Sequence, residues 1–187
     1  PEQLRGMLRF KQAELRQRIG EEQERLTRVE TRLNFITMEG TMPDYEIVLK
    51  QVEPQLVAGV RDILPNYPAV GHLFDEVGGY LSSLGIDGNT LVGTAIWHDD
   101  AHKPGGINGE AVFTLKQPVP ATERINVYEL PGATMASVIH KGAFNMFSLA
   151  YEAIVRWMES NGYQIVGPNR EVYLYLTQPV RQDDDSY

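Results

Sequence analysis

The chain has 187 residues, of which 42% are hydrophobic and 22% charged, and its formal net charge is −8. It has no cysteine, which excludes disulfides, thiolate metal sites and cysteine nucleophiles and suits a reducing cytoplasm. The chain lacks the run of about 18 apolar residues that a membrane span needs, and its acidic balance argues against a nucleic-acid-binding body, since phosphates need a basic face.

Residues 3–34 predict one long helix, because the segment is rich in Leu, Glu, Arg and Gln and pairs acids with bases four residues apart, as in Glu14/Arg18. A helix about 45 Å long exceeds a small domain and usually pairs with a second helix. The alternative is a helix that lies across its own domain. We expect residues 1–35 to form a coiled coil that makes a homodimer. The apolar seam of this coiled coil consists of the a and d positions of the heptad repeat, of which Gln12 and Glu22 are polar and interrupt it. The apolar a and d residues are Leu8, Leu15, Ile19, Leu26, Val29 and Leu33.

Residues 36–44 contain Gly40 and Pro43 and predict a linker, after which residues 45–187 form the main domain. Alternating hydrophobicity there predicts strands, and a period of 3.6 predicts helices. In chain order we expect strands at 45–51 and 55–62, a helix at 67–84 ended by Gly85, a strand at 91–98 and a loop at 99–108. Strands at 111–115, 125–130 and 134–140 follow, then a helix at 147–160 and a strand at 171–176.

The two halves of this domain match each other at an offset of 77 residues. The offset takes Pro54 onto Pro131, Gly85 onto Gly162, and the apolar stripe of the first helix onto that of the second. Coincidence is the alternative, because identity between the halves is slight. Duplication predicts an α+β fold in which two strand–helix–strand–strand units form one curved antiparallel sheet with two helices behind it. The groove between the halves is then a natural ligand site.

The strand at 171–176 carries the sharpest functional pattern. Its period places Glu171, Tyr173 and Tyr175 on one face and three aliphatic side chains, Val172, Leu174 and Leu176, on the other. We expect the aliphatic face to pack on the helices. The other face would present a carboxylate among phenols, which suits an organic cation through charge pairing and cation–π attraction. The alternative is a solvated face on which Glu171 pairs with a Lys or Arg.

Five further aromatic residues are candidates to line the same groove, with core packing as the alternative for each of them: Trp97, Phe113, Phe144, Phe147 and Tyr151. His98 and His102 are four residues apart, but Pro104 follows directly, so we interpret the segment as a polar loop and predict no metal site. We also predict no cofactor and no catalytic residue, because the chain lacks a nucleophile elbow, a zincin motif and a phosphate loop.

The order and spacing of several segments resemble a known type of regulator. Residues 4–33 are similar to the dimerisation helix that follows the DNA-binding domain in MerR-family transcription regulators. Residues 45–187 resemble the GyrI-like or AraC-type effector-binding domain, through residues 45–50 (YEIVLK), 137–142 (SVIHKG), 163–168 (YQIVGP) and 170–174 (REVYL). The resemblance implies a central pocket for drug-like, often cationic and aromatic ligands, with Glu171 as the pocket glutamate.

The resemblance also implies a function for the whole chain. We expect a cytoplasmic small-molecule sensor that dimerises through its N-terminal helix and reaches DNA only through an N-terminal domain that is missing here. Two alternatives stay open. One is a small-molecule hydrolase that uses Glu171, because some GyrI-like proteins are hydrolases. The other is a module that binds a protein partner through its acidic face.

Overall fold

The computed structural model describes residues 4–12, 14–15, 18, 45–98, 106–175, 180–181 and 183–187. Residues 4–12 form helix α1, as expected for the N-terminal segment. Leu8 is 61% exposed and Leu15 is 47% exposed, so both apolar side chains are open to a partner. The remaining predicted seam residues, Ile19, Leu26, Val29 and Leu33, lie outside the described residues, as does the predicted linker. Dimerisation through this segment therefore stays a prediction.

Residues from Tyr45 onward form a unit with its own contacts. Its elements are β1 (Val48–Val52), β2 (Gln55–Leu64), α2 (Val70–Ser83), β3 (Gly93–Trp97), β4 (Ile107–Thr114), β5 (Asn126–Leu130), β6 (Ala133–Ser137), α3 (Phe147–Asn161) and β7 (Asn169–Tyr173). Every strand pair is antiparallel. The α+β class predicted from the sequence is confirmed.

Several predicted boundaries are wrong, and three of them matter for the site. Strand β4 begins at Ile107, inside the segment that the Gly/Pro content predicted to be a loop. Its pairing with Leu64 of β2 extends the ladder beyond what the local sequence favours. Strand β6 ends at Ser137 rather than at 140. Strand β7 ends at Tyr173, so Leu174 and Tyr175 lie beyond the strand.

The strands form a five-stranded sheet in the order β5-β2-β4-β3-β7 and a two-stranded sheet of β1 and β6. The β1–β6 ladder and the β2–β5 ladder have the same register on either side of a break. Val52 pairs with Ala133 before the break, and Gln55 pairs with Leu130 after it. The break brings Pro54 opposite Pro131, the pair that the 77-residue offset relates. Proline has no N–H to donate to a ladder, which accounts for the break.

Helix α2 packs on one face of the five-stranded sheet, against β2 and β4. Its buried residues, Val70, Leu73, Val77 and Leu81, join a core with the small and aliphatic residues of that face. We call this side the helix-facing side. A second cluster lies on the opposite face of the sheet, around Val57, Ile96 and Val112. The sheet is therefore covered on both faces near its centre.

The two helices end in the same way at equivalent positions. Gly85 has φ of 77° and Gly162 has φ of 73°, a left-handed conformation that glycine adopts without a steric penalty. After each glycine a backbone N–H bonds back to the helix, from Ile86 to Leu81 at 3.0 Å and from Tyr163 to Met158 at 2.9 Å. Within the described part of the chain, no helix is both long and apolar enough to cross a membrane.

Candidate ligand-binding site

The candidate site lies on the helix-facing side of β3 and β7, which pair at one end of the five-stranded sheet. Ala95 pairs with Glu171 and Gly93 pairs with Tyr173. Paired residues point to the same face of a sheet, so the small residues of β3 lie beside the carboxylate and the phenol of β7. A Cβ at Gly93 would lie 3.1 Å from Cε1 of Phe74, so glycine lets the helix come close at this point.

The orientation of β7 is the reverse of the sequence prediction. Val172 is 49% exposed and Leu174 is 73% exposed, so the aliphatic face does not pack on the helices. Glu171 and Tyr173 instead face helices α2 and α3, where Tyr173 joins the edge of the main core. The polar face turns inward because both helices supply partners for it: Tyr151 of α3 donates to Glu171, and Phe74 of α2 contacts Tyr173.

The carboxylate of Glu171 is held by two phenols. The Tyr151 hydroxyl of α3 donates to Oε1 at 2.5 Å, and the Tyr173 hydroxyl donates to Oε2 at 3.0 Å. Asn169 Nδ2 donates to the Tyr151 hydroxyl oxygen at 3.2 Å, so the network continues along β7. Each carboxylate oxygen accepts one protein hydrogen bond and keeps further acceptor capacity, since a carboxylate has about four lone-pair positions.

Burial raises the pKa of Tyr151 far above the usual value for a phenol, and the negative charge and hydrogen bond of Glu171 raise it further. The pKa of Tyr173 is raised by the same causes in the same order. Both phenols therefore stay protonated at neutral pH and act as donors to Glu171. The result is a half-buried carboxylate whose position is fixed from two sides by groups that carry no charge.

A cluster of aromatic rings contacts Tyr173 where α3 begins. The ring of Phe144 lies 5.8 Å from that of Tyr173 and 5.2 Å from that of Phe147. Tyr187 stacks on Phe144 at 5.0 Å, and His140 meets Phe147 edge-on at 5.0 Å. These ring centroids are within the range of favourable aromatic contacts. The structure thus brings three of the predicted residues, Phe144, Phe147 and Tyr173, into one aromatic cluster.

Helix α2 contributes a second set of rings on the other side of Tyr173. Phe74 contacts Tyr173 at 5.6 Å and Phe113 at 5.5 Å, so Phe113 reaches the site through Phe74. Trp97 pairs with Asn169 in the β3–β7 ladder, and its ring meets Tyr67 edge-on at 4.9 Å. Phe113 and Trp97 therefore share the helix-facing side with Glu171, at its periphery.

Sequence reasoning missed two residues of the site. Phe74 and Asn169 are not among the residues that the sequence predicted to line the site, yet Phe74 is half-buried and contacts Tyr173, and Asn169 donates to Tyr151. The 77-residue offset contained a signal for Phe74, because it relates Phe74 to Tyr151. These two residues approach β7 from α2 and α3 respectively. No comparable signal marked Asn169, whose role depends on the position of the Tyr151 hydroxyl.

The opposite face of the sheet holds a different polar group. Glu110 is 6% exposed and accepts hydrogen bonds from Tyr128 at 2.7 Å, while its other oxygen lies 2.8 Å from Nε2 of His98. His98 thus pairs with a carboxylate of the sheet, and His102 lies outside the described residues. Among the residues described, no group of three His, Asp or Glu side chains is arranged to hold a metal ion.

The family model described as "GyrI-like small molecule binding domain" matches residues 45–186. No curated protein matches the chain. The crystal structure of the EcmrR C-terminal domain is similar, with a TM-score of 0.66 and 23% identity over 77% of this chain and 92% of that one. EcmrR in the cryo-EM structure of its DNA complex has a TM-score of 0.68 and 23% identity over 94% of this chain. This chain spans 66% of that EcmrR chain, just under two thirds. At this level of identity the comparison shows a shared fold.

Proposed function

Because the chain belongs to the family of GyrI-like small-molecule-binding domains, we propose that it senses an organic cation, bound at Glu171, on behalf of a bacterial transcription regulator. The observation that carries this proposal is the half-buried Glu171 carboxylate, which two uncharged phenols hold in place. Within the residues that the structure describes, no Lys or Arg forms an ion pair with Glu171, so the carboxylate is available to pair with a ligand cation.

The surroundings of Glu171 favour a cation that is also aromatic or apolar. Tyr151 and Tyr173 contact the carboxylate, and Phe74 of α2 contacts Tyr173. Each ring face adds about 0.5–2 kcal/mol of cation–π attraction to a well-placed charge. The domain as a whole is acidic, which raises the local concentration of cations further. A neutral ligand of the same shape would gain the apolar contacts but not the charge pairing.

The regulatory part of the proposal rests on the fold and on charge. EcmrR, which shares the fold, has been solved in complex with DNA. We propose that this chain belongs to a MerR-type regulator of the cytoplasm, which dimerises through residues 1–35 and contacts DNA through a separate domain. Exposed Leu8 and Leu15 support a helix–helix contact. The acidic residues after Tyr45 are unsuited to contact phosphates.

The proposal is tested with benzyltrimethylammonium and its neutral isostere neopentylbenzene in a thermal-shift titration. We expect the cation to stabilise the wild-type protein, since a ligand that binds only the native state raises its stability. Glu171→Gln should weaken binding of the cation about tenfold or more, the equivalent of losing one charge-assisted contact. The neutral compound should be affected little.

Glu159→Gln is the matched control, because Glu159 is an exposed residue of α3 and the substitution changes the net charge equally. Equal weakening by both substitutions would attribute the effect to the overall charge and contradict the role of Glu171. Equal losses for the cation and the neutral isostere in Glu171→Gln would contradict the charge pairing.

The hydrolase alternative uses the same carboxylate. A half-buried carboxylate fixed by two phenols has the position that a general base requires. It would be favoured if a reactive ester were turned over by the wild-type protein and not by Glu171→Gln. The family description, which names binding rather than catalysis, supports the sensor as the first hypothesis.

A further inference from the structure

The indole N–H of Trp97 is a buried donor without an acceptor. Trp97 is 5% exposed, and its Nε1 has no hydrogen-bond partner in the part of the chain that the structure describes. A buried indole N–H usually finds a partner, because leaving a buried donor unsatisfied costs about as much as losing a hydrogen bond. Such a donor beside a candidate binding site calls for a functional explanation.

The ring of Trp97 is oriented by its neighbours on β4. A Cβ at Gly109 would lie 2.8 Å from Cζ3 and 3.2 Å from Cε3 of Trp97, so this edge of the indole rests on the glycine. Nε1 belongs to the opposite edge of the ring. Trp97 also shares the helix-facing side of the sheet with Glu171, and β3 pairs directly with β7. The unsatisfied N–H is therefore on the part of the ring that does not contact Gly109, on the face of the sheet that carries the candidate site.

The strand register places the residues that carry the donor and the carboxylate close together. Trp97 pairs with Asn169, and Ala95 pairs with Glu171, so Trp97 and Glu171 are diagonal neighbours on one face. The backbones of diagonal neighbours in an antiparallel ladder are about 7–8 Å apart, a span that two long side chains and one small ligand can bridge. A single small ligand can therefore contact both the carboxylate and the indole N–H.

We propose that the Nε1–H of Trp97 donates a hydrogen bond to the ligand that binds at Glu171. The inference rests on the proposed function and narrows the ligand class. The ligand is an organic cation that also carries an ether, carbonyl or hydroxyl oxygen, which accepts from the indole while the charge pairs with Glu171. Trp97 then acts as a specificity determinant, because a site with a buried donor discriminates against ligands that leave it unsatisfied.

The experiment compares two cations that differ by one acceptor: benzyltrimethylammonium and (3-acetylbenzyl)trimethylammonium. Isothermal titration calorimetry with the wild-type protein should show that the acetyl compound, which carries the ketone oxygen, binds about three- to tenfold more tightly than the compound without it. This is the effect of one neutral hydrogen bond. Trp97→Phe keeps an aromatic ring but removes the N–H, and it should abolish this preference. Trp157→Phe, which changes the second tryptophan of the chain, should retain it.

The outcomes separate the two proposals. If neither cation binds the wild-type protein, the proposed function fails and this inference fails with it. If both cations bind with equal affinity, or if the preference persists in Trp97→Phe, only this inference is overturned.

A second readout covers the case in which Trp97→Phe does not fold. The chain has two tryptophans, so the ¹H–¹⁵N spectrum of the wild-type protein has two indole signals, and Trp157→Phe assigns them. The ketone should move the Trp97 indole proton downfield while benzyltrimethylammonium does not. Equal displacements by the two cations would overturn the inference.

Discussion

Replacing Tyr151 by phenylalanine removes the hydroxyl that donates to Glu171 at 2.5 Å and keeps the ring. Hydrogen bonds to charged groups contribute about 1.5–3 kcal/mol to stability. Because the residues are half-buried, we expect a loss at the lower end, about 1.5 kcal/mol. The exposed Asn169 amide, which also loses its acceptor, can bond to water and adds little. For a domain of this size the loss corresponds to a melting temperature lower by about 3–6 °C.

The measurement is urea or thermal unfolding followed by circular dichroism, with Tyr80→Phe as the control. The Tyr80 hydroxyl also donates at 2.5 Å, but to the neutral carbonyl oxygen of Pro120, so its removal should cost less. Tyr151→Phe should also cost less in a Glu171→Gln background, because the charge on the acceptor is gone. The reasoning is refuted if Tyr151→Phe costs no more than Tyr80→Phe, or if its cost is the same in both backgrounds.

Two further predictions concern pH and packing. The raised pKa values of Tyr128, Tyr151 and Tyr173 mean that the native protein keeps protons that the unfolded chain loses above pH about 10, so stability should fall as the pH rises through and above that value. Unfolding free energies between pH 9 and about 11.5 should fall less steeply for Tyr151→Phe, and identical slopes would contradict this. Gly59→Ala should cost about 1–3 kcal/mol, because its Cβ would lie 2.5 Å from Cγ1 of Val112 and 2.9 Å from a backbone oxygen. Gly71→Ala, with no atom within 4 Å, should be neutral or stabilising, and equal urea midpoints for the two variants would refute the packing argument.

The order of the elements could be predicted from the sequence because the signals were local and occurred twice. The helix that begins near Val70 and the one that begins at Phe147 have their apolar stripes and terminal glycines at matching positions. The start of β4 could not be predicted in this way, because its first residues are held by the ladder with β2 and not by their own propensity.

The inward face of β7 could not be predicted from its period. Alternation shows that Glu171 and Tyr173 share a face, but which face is buried depends on partners far away in the chain. The aliphatic face would usually be chosen, yet Tyr151 and Phe74 offer a hydrogen bond and a ring contact to the other one. For the same reason the sequence grouped Glu171 with Tyr173 correctly while it assigned the pair to the wrong side of the sheet.

The two prolines at the break in the ladder have a mechanical consequence. Neither Pro54 nor Pro131 can donate a backbone hydrogen bond, so the two stretches of ladder are joined by chain continuity and packing rather than by uninterrupted bonding. A Cβ at Gly132 would lie 2.5 Å from the carbonyl oxygen of Val52 and 3.0 Å from Cδ of Pro54, so the strands are in tight contact there. The joint is therefore closely packed but carries fewer backbone hydrogen bonds than the ladder on either side of it, so a change in twist between the two sheets would break the fewest such bonds there.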